Sequence, residues 1–264
     1  MAPDLVSPGG ETKGKRGVTD PVSLRRRFAD VFSGGEVGVI AATAVIAVGF
    51  LGFLGLADRI VDNHTVGFDQ GLMLLLHPGG HSPPVGPAWL EAAAIDFTAL
   101  GSITDLCLIV LLAAGLFAAL GRWREAGWLV AAPLSGLILA TIFKDAVGRQ
   151  RPPLAMHAVA ASNASFPSGH AMLSAIVYLT LAALVSRFAG RGRVAIYALA
   201  CGLFLALAIG ASRVYLGVHW PTDVIAGWAL GAAWATLWSL AILWLGRRGR
   251  LGETRPGLDS STAG

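Results

Sequence analysis

Residues 165–187 read SFPSGHAMLSAIVYLTLAALVSR, a short polar cluster followed by a long apolar run. The cluster combines Pro167, Ser168, Gly169 and His170, and no charged residue follows it before Arg187. A helix needs about 20 predominantly apolar residues to cross the hydrocarbon core of a bilayer. The stretch therefore predicts a membrane-spanning helix with a group of polar side chains at its mouth.

The composition extends this interpretation to the whole chain. Hydrophobic residues make up 55% of the 264 residues and charged residues only 14%, so the chain has too little polar surface for a soluble domain and is predicted to be a polytopic membrane protein. Cys107 and Cys201 each lie inside an apolar run, which indicates core residues rather than a disulfide framework. The basic residues cluster at the ends of apolar runs, a pattern typical of membrane topology rather than of nucleic-acid binding.

Six apolar runs are close to the length of a membrane span, which predicts an all-α fold with six transmembrane helices. The predicted spans are 37–56, 103–121, 126–145, 169–187, 194–212 and 222–246. They predict a six-span domain over 37–246, a mostly disordered N-terminal tail over 1–36 and a C-terminal tail over 247–264. Between the first two spans, 57–102 predicts short interfacial or re-entrant helices, because its apolar pieces are too short to cross and the prolines and glycines of 77–87 indicate a loop.

The distribution of Lys and Arg predicts the orientation. With both termini in the cytoplasm, 15 basic residues lie on the inner side of a cytoplasmic membrane. The five on the outer side are Arg59, Lys144, Arg149, Arg151 and Arg213. Because the bias is strong, these five exceptions need a reason.

Four predicted span ends meet at the outer face, since up-and-down threading puts the ends of spans three and five beside the starts of spans four and six. Their polar residues are Lys144, Arg149, Arg151, Ser168, His170, Arg213, His219 and Asp223. Several cations beside two histidines predict a site for an oxyanion, most simply phosphate. We expect the backbone N–H groups of Ser168 and Gly169, at the start of the fourth helix, to be free to bind that anion.

The two histidines have different predicted roles. His219 and Asp223 are four residues apart at a helix start, so a carboxylate–imidazole bond would fix the tautomer and leave one nitrogen free to attack phosphorus. His170 would then protonate the leaving oxygen and later activate water.

Three stretches carry a resemblance to a known family. They are KDAVGRQRP (144–152), PSGH (167–170) and SRVYLGVHWPTD (212–223). Together and in this order they resemble the three-part signature of the type 2 phosphatidic acid phosphatase superfamily, in its bacterial membrane lipid phosphatase branch. The resemblance implies phosphate binding by Lys144, Arg151 and Arg213, with help from Ser168 and Gly169. It implies that His219 is the nucleophile, Asp223 its orienting partner and His170 the acid, and that no metal ion or other cofactor is needed.

The predicted function is the hydrolysis of a lipid phosphate or diphosphate, such as phosphatidic acid, phosphatidylglycerophosphate or undecaprenyl diphosphate, through a phosphohistidine. The predicted partners are that lipid and the bilayer, with no nucleic acid and with the oligomeric state left open. The alternatives are a lipid phosphotransferase with the same site, a non-catalytic lipid-binding or transport protein, and a phosphatase of small sugar phosphates. Outside the motifs, Arg149 is expected to be a simple surface residue, and Asp96 and Asp105 receive no role.

Overall fold

The computed structural model describes residues 34–189 and 192–252, and every regular element within those ranges is helical. The helices are α1 (Gly34–Val61), α2 (Val66–Leu76), α3 (Ala88–Ala99), α4 (Ile103–Ala119), α5 (Trp123–Val147), α6 (Gly169–Ala189), α7 (Gly192–Tyr215) and α8 (Pro221–Gly252), with a single 3₁₀ turn at Leu154–Met156. The all-α prediction is confirmed. The predicted tails fall largely outside the described residues, although 34–36 and 247–252 are helical.

Five helices are long and apolar enough to cross a membrane: α1, α5, α6, α7 and α8. The predicted second span differs from the other five, because α4 has only 17 residues and rises about 26 Å at 1.5 Å per residue, less than the roughly 30 Å core. It forms a bent pair with α3, and the two helices meet at 52°. The chain is thus a multi-pass membrane protein, and its described residues contain five such spans, or six when the bent pair is one span.

The segment 57–102 contains the two short helices α2 and α3, joined by the loop 77–87, as predicted. Whether these helices lie at the membrane interface stays a prediction.

The helix α6 lies at the centre of the bundle. In the most apolar 18 residues of α6, 61% of the residues are buried, against 6% to 28% in the corresponding stretches of the other four long spans. Glycines allow its neighbours to approach closely: a Cβ on Gly227 of α8 would lie 2.8 Å from the Ser168 carbonyl oxygen, and one on Gly231 would lie 2.6 Å from that of Met172. Small residues at such positions let helix backbones touch. The start of α6 is therefore held directly against the start of α8.

A tight turn between α7 and α8 completes this end of the molecule. Gly217 has φ +74°, and a Cβ there would lie 2.1 Å from the carbonyl oxygen of Met156. The backbone N–H of Ala158 donates to the carbonyl of Leu216 at 3.0 Å. The loop between α5 and α6 is thereby fixed against the turn that carries His219.

Candidate active site

A cavity of about 540 Å³ opens where α5 ends, α6 begins and α7 turns into α8. Six of the eight residues predicted for the site line it: Lys144, Arg151, Gly169, His170, Arg213 and His219. The other two, Ser168 and Asp223, are fully buried behind the wall. The structure therefore brings both histidines and three cations to one polar chamber.

Arg151 is fixed by backbone carbonyls. Its Nε donates to Asn163 O at 3.0 Å, and its Nη2 donates to Ser162 O at 2.8 Å. Its Nη1 lies 2.7 Å from Val218 O and 3.0 Å from Nε2 of His219. A guanidinium carries five N–H donors in a fixed fork, so this residue is oriented by the loop and also touches the histidine.

The contact between Arg151 and His219 identifies the tautomer of the imidazole. Because a guanidinium can only donate, Nε2 must accept and the proton of the neutral ring lies on Nδ1. Burial lowers the pKa of His219 to about 4, even though the carboxylate of Asp223 raises it. At neutral pH the ring is therefore uncharged, with the Nε2 lone pair on the side of the cavity cations.

Lys144 and Arg213 hold the remaining wall. Lys144 donates from Nζ to Ala164 O at 2.6 Å, which leaves ammonium protons for another partner. Arg213 is only 5% exposed and donates from Nη1 to Thr98 Oγ1 at 2.8 Å. Its buried Nε–H has no hydrogen-bond partner among the described residues. A buried donor without a partner costs about 1–3 kcal/mol, so this N–H is a strong candidate for binding a further acceptor.

The start of α6 differs from the prediction at one point. The N–H of Ser168 is not free but donates to the backbone carbonyl of Asp223 at 3.0 Å, because Gly227 lets α8 pack directly on this turn. The Oγ of Ser168 lies 3.5 Å from the N–H of Ala171, in the position of a helix N-cap. The prediction of a free Ser168 N–H is wrong. Gly169 does line the cavity, and the position of its absent Cβ is 4.0 Å from Lys144 Cε.

His170 faces the same cavity from the first turn of α6. It packs beside Gly101, where an added Cβ would lie 3.2 Å from its Cδ2 and 2.3 Å from a methyl carbon of Ile209. A side chain at position 101 would collide with Ile209 and crowd the imidazole of His170, so the bend between α3 and α4 requires glycine there.

Behind His219 the predicted bond to Asp223 is not direct. Nδ1 lies 3.6 Å from Oδ2 of Asp223, beyond hydrogen-bond distance. The hydroxyl of Ser165, which is fully buried, donates to that Oδ2 at 2.5 Å and lies 3.3 Å from Nδ1. A serine thus bridges the pair, a role that the sequence did not suggest.

Arg149 is not a surface residue, so that prediction is wrong. Its side chain is 13% exposed and forms two ion pairs, from Nη1 to Asp223 Oδ1 at 2.5 Å and from Nη2 to Asp69 Oδ2 at 2.6 Å. Asp69 is itself 1% exposed and accepts from the backbone N–H of Thr222 at 3.0 Å. The sequence signals for this pair are a cation on the side poor in positive charge and an acid inside the apolar helix α2.

Comparisons with known proteins show which family the chain is similar to. Residues 125–247 match the family model of the PAP2 superfamily. The chain is 34% identical over 190 residues to phosphatidylglycerophosphatase B of Bacillus subtilis, covering 69% of this chain and 87% of that protein. It is 32% identical over 127 residues to an undecaprenyl-diphosphatase of Sulfolobus acidocaldarius, covering 46% of this chain and 57% of the relative.

A solved structure is similar as well. It is the crystal structure of a transmembrane PAP2 type phosphatidylglycerolphosphate phosphatase from Bacillus subtilis. The TM-score is 0.66 at 28% sequence identity, and the match covers 80% of this chain and 98% of that chain.

Proposed function

The chain belongs to the PAP2 superfamily, and we propose that it hydrolyses a lipid phosphate or diphosphate through a covalent phosphohistidine at His219. The relatives named above are lipid phosphatases by name, which supports a phosphatase acting on lipid-type substrates. The observation that carries the proposal is a polar cavity, lined by three cations and two histidines, that shares part of its wall with an apolar groove.

The apolar groove supports a lipid rather than a soluble substrate. It has a volume of about 210 Å³, lies between α4, α5 and α6, and shares Ile103, Leu137 and Leu173 with the wall of the polar cavity. A phosphate group among the cations would therefore have its apolar tail beside these side chains. A sugar phosphate has no tail to fill such a groove, so this juxtaposition favours the lipid.

The first chemical step forms the phosphoenzyme. The Nε2 lone pair of His219 bonds to phosphorus while the bond from phosphorus to the lipid oxygen breaks. Protonated His170 gives its proton to that oxygen, so the lipid leaves as an alcohol or, from a diphosphate, as a lipid monophosphate. The donors of Lys144, Arg151 and Arg213 stabilise the charge on the phosphoryl oxygens. For Nε2 to attack, Arg151 Nη1 must exchange its contact with the ring for one with the phosphate.

The second step releases phosphate. His170, now neutral, takes a proton from water, and the water oxygen bonds to phosphorus. The bond between phosphorus and Nε2 breaks, and its electron pair returns to the ring. In this scheme the charges that a metal ion would supply come from the three cations, so we propose a metal-independent reaction, with Gly169, which lines the cavity, as a further candidate for phosphate contact.

A panel of lipids tests the function. We expect the purified chain to release inorganic phosphate from at least one of phosphatidic acid, phosphatidylglycerophosphate and undecaprenyl diphosphate in detergent micelles, and not from glucose 6-phosphate. The His219→Ala variant is the control for contaminating phosphatases. Release from the sugar phosphate alone would contradict the lipid assignment, and no release from any substrate would contradict the phosphatase.

The groove has its own test. Leu137 lies in the shared wall, whereas the next residue, Ile138, is 56% exposed on the outer surface of α5. We expect Leu137→Trp to lower kcat/KM for a long-chain phosphatidic acid by about tenfold, since one lost apolar contact of about 1–2 kcal/mol is of that size. The Ile138→Trp variant should stay within about twofold. Equal effects of the two variants on kcat/KM would show that the groove does not bind the substrate.

The orientation is part of the proposal, with both termini in the cytoplasm and the cavity on the outer face of the cytoplasmic membrane. The excess of Lys and Arg on the opposite side supports it. A fluorescent protein fused after residue 264 should fold and fluoresce, and a periplasmic reporter enzyme at the same place should stay inactive. The reverse pattern would place the cavity inside the cell.

A further inference from the structure

We propose that Ser165 is a positioning residue of the nucleophile and that the buried pair of Arg149 with Asp69 holds the carboxylate through which it acts. The inference rests on the proposed role of His219, and it concerns how the ring is held rather than which group attacks. It gives α2 a role in catalysis through Asp69, which does not line the phosphate cavity.

The direction of the hydrogen bonds supports the role of the serine. Arg151 can only donate to Nε2 of His219, so the ring proton lies on Nδ1 and points at Ser165 Oγ, 3.3 Å away. The serine hydroxyl in turn donates to Oδ2 of Asp223 at 2.5 Å. Every donor in this chain faces an acceptor. The opposite tautomer would set an Nε2–H against a guanidinium that can only donate, and the serine hydroxyl would have to turn from Oδ2 of Asp223 to the unprotonated Nδ1, so two contacts of this chain would be lost.

The carboxylate leaves the histidine no direct acceptor. Oδ1 of Asp223 receives Arg149 Nη1, and Oδ2 receives both the serine hydroxyl and the backbone N–H of Trp220, the latter at 3.0 Å. Its charge therefore reaches the ring through Ser165. As the bond to phosphorus forms, positive charge develops on the imidazole, and the polarised hydroxyl together with the anion 3.6 Å from Nδ1 stabilises it.

Arg149 fixes the serine as well as the carboxylate. The backbone N–H of Ser165 donates to Arg149 O at 2.8 Å, while the guanidinium joins Asp223 to Asp69. Asp69 is held in turn by the N–H and the hydroxyl of Thr222, at 3.0 and 2.6 Å. Arg149 thus holds both Ser165 and Asp223. Its Nη2 is paired with Asp69 of α2.

Removing the hydroxyl should lower turnover without weakening substrate binding. In Ser165→Ala the Nδ1–H loses its acceptor and only the contact with Arg151 still favours this tautomer, so a share of the Nε2–H tautomer, which has no lone pair for attack, becomes populated. We expect kcat for dioleoyl phosphatidic acid in micelles to fall about 10- to 100-fold, by analogy with the loss of hydrogen-bond partners of metal-bound histidines, with KM changed less than about threefold. The Asp69→Asn variant should lower kcat in the same way but by a smaller factor.

Ser174 offers a matched control. It is also fully buried, in the second turn of α6, but its hydroxyl donates only to Ala171 O at 3.3 Å and it does not line the cavity. Ser174→Ala should leave kcat within about twofold. If both serine variants lower kcat and thermal stability in detergent to the same extent, Ser165 is a packing residue and the proposal is overturned.

Nitrogen NMR of the 15N-histidine-labelled chain reads the tautomer without any turnover. The chain has six histidines, and the signal missing from His219→Ala assigns the ring. We expect a Nδ1–H pattern in the wild type and a measurable share of Nε2–H in Ser165→Ala. An unchanged tautomer in Ser165→Ala would overturn the proposal even if kcat fell. If no lipid is hydrolysed but the tautomer changes, the proposed function fails while the positioning role stands.

Discussion

The two sides of His219 are built differently. On the cavity side, Lys144, Arg151 and Arg213 form what we term the cavity cations, whose donors are held by neutral carbonyl and hydroxyl oxygens or have no partner in the described chain. On the opposite side, Asp69, Arg149, Ser165 and Asp223 form the back network, in which charges meet charges at 2.5 to 2.6 Å. The cavity side can exchange its partners for a phosphate, whereas the back network is already complete.

The partners of the cavity cations come from one loop. Ser162, Asn163 and Ala164 offer their backbone oxygens to Arg151 and Lys144. A phosphate oxygen carries a negative charge that these carbonyl oxygens lack, so it attracts the two cations more strongly and substrate can displace these contacts. In the proposed mechanism, binding therefore uses donors that neutral oxygens hold, whereas orientation of the nucleophile uses pairs of opposite charges.

The largest effect should come from the residue on which both sides act. His219→Ala removes the attacking nitrogen, so we expect phosphate release to fall by about 10⁴-fold or more, to the background of the assay. Gel-filtration elution in detergent should be unchanged, since no charge loses its ion pair with Arg149. Turnover within tenfold of the wild type would show that another group attacks phosphorus.

The second largest loss of activity is expected when a cavity cation is removed. Arg213→Ala removes a buried donor with no partner of its own, so we expect kcat/KM to fall about 10²- to 10³-fold, as for loss of an oxyanion donor. The comparison with His219→Ala in the same micelles shows whether residual turnover remains. A loss below about threefold would place Arg213 outside the phosphate site.

The back network should respond in stability. Arg149→Gln leaves Asp69 and Asp223 buried without their cation, which we expect to cost about 3 kcal/mol, the lower end for breaking a buried pair. The control is Arg122→Gln, whose pair with Glu125 is 44% exposed on the arginine side, 3.8 Å long and worth at most about 1 kcal/mol. Thermal melting in detergent separates the two. Equal melting temperatures would mean that the buried pair does not hold this end of the bundle.

The smallest effect concerns pH. Burial lowers the pKa of His219 to about 4, so the ring should gain a proton only as the pH falls through that value rather than near 6.5. Between pH 7 and 5.5 the NMR signals of the His219 ring should not move. Activity is expected to fall in this range for a different reason, because the substrate phosphate gains a proton near pH 6. A His219 midpoint near 6.5 would show that the ring is not shielded from water.

The sequence predicted the cavity side well, because its evidence is local. Lys144 and Arg151 lie seven residues apart at one helix end, and His219 lies six residues after Arg213 at another, so up-and-down threading was enough to bring them together. The apolar runs predicted six spans, and five of them are long helices in the described residues. The predicted second span, 103–121, is the shorter helix α4, because the bend at Gly101 divides this part of the chain into two short helices that no single apolar run describes.

The back network was missed for a physical reason. Asp69 and Arg149 are 80 positions apart, and Ser165 and His219 are 54 apart, so nothing in a local pattern brings them together. Arg149 was assigned to the surface because it lies outside the motif, although its place on the side poor in cations was a signal. The free N–H expected at Ser168 failed because Gly227 allows α8 to cover that turn.

The most direct test of the central proposal is to trap the phosphoenzyme. Purified chain is mixed with phosphatidic acid labelled in its phosphate, quenched in alkali within milliseconds, and digested to locate the label. A phosphoryl group that is stable in base, labile in acid and bound to the peptide containing His219 is the expected result, and the His219→Ala variant should carry none. Label on any other residue, or full turnover with no labelled protein under single-turnover conditions, would contradict the account.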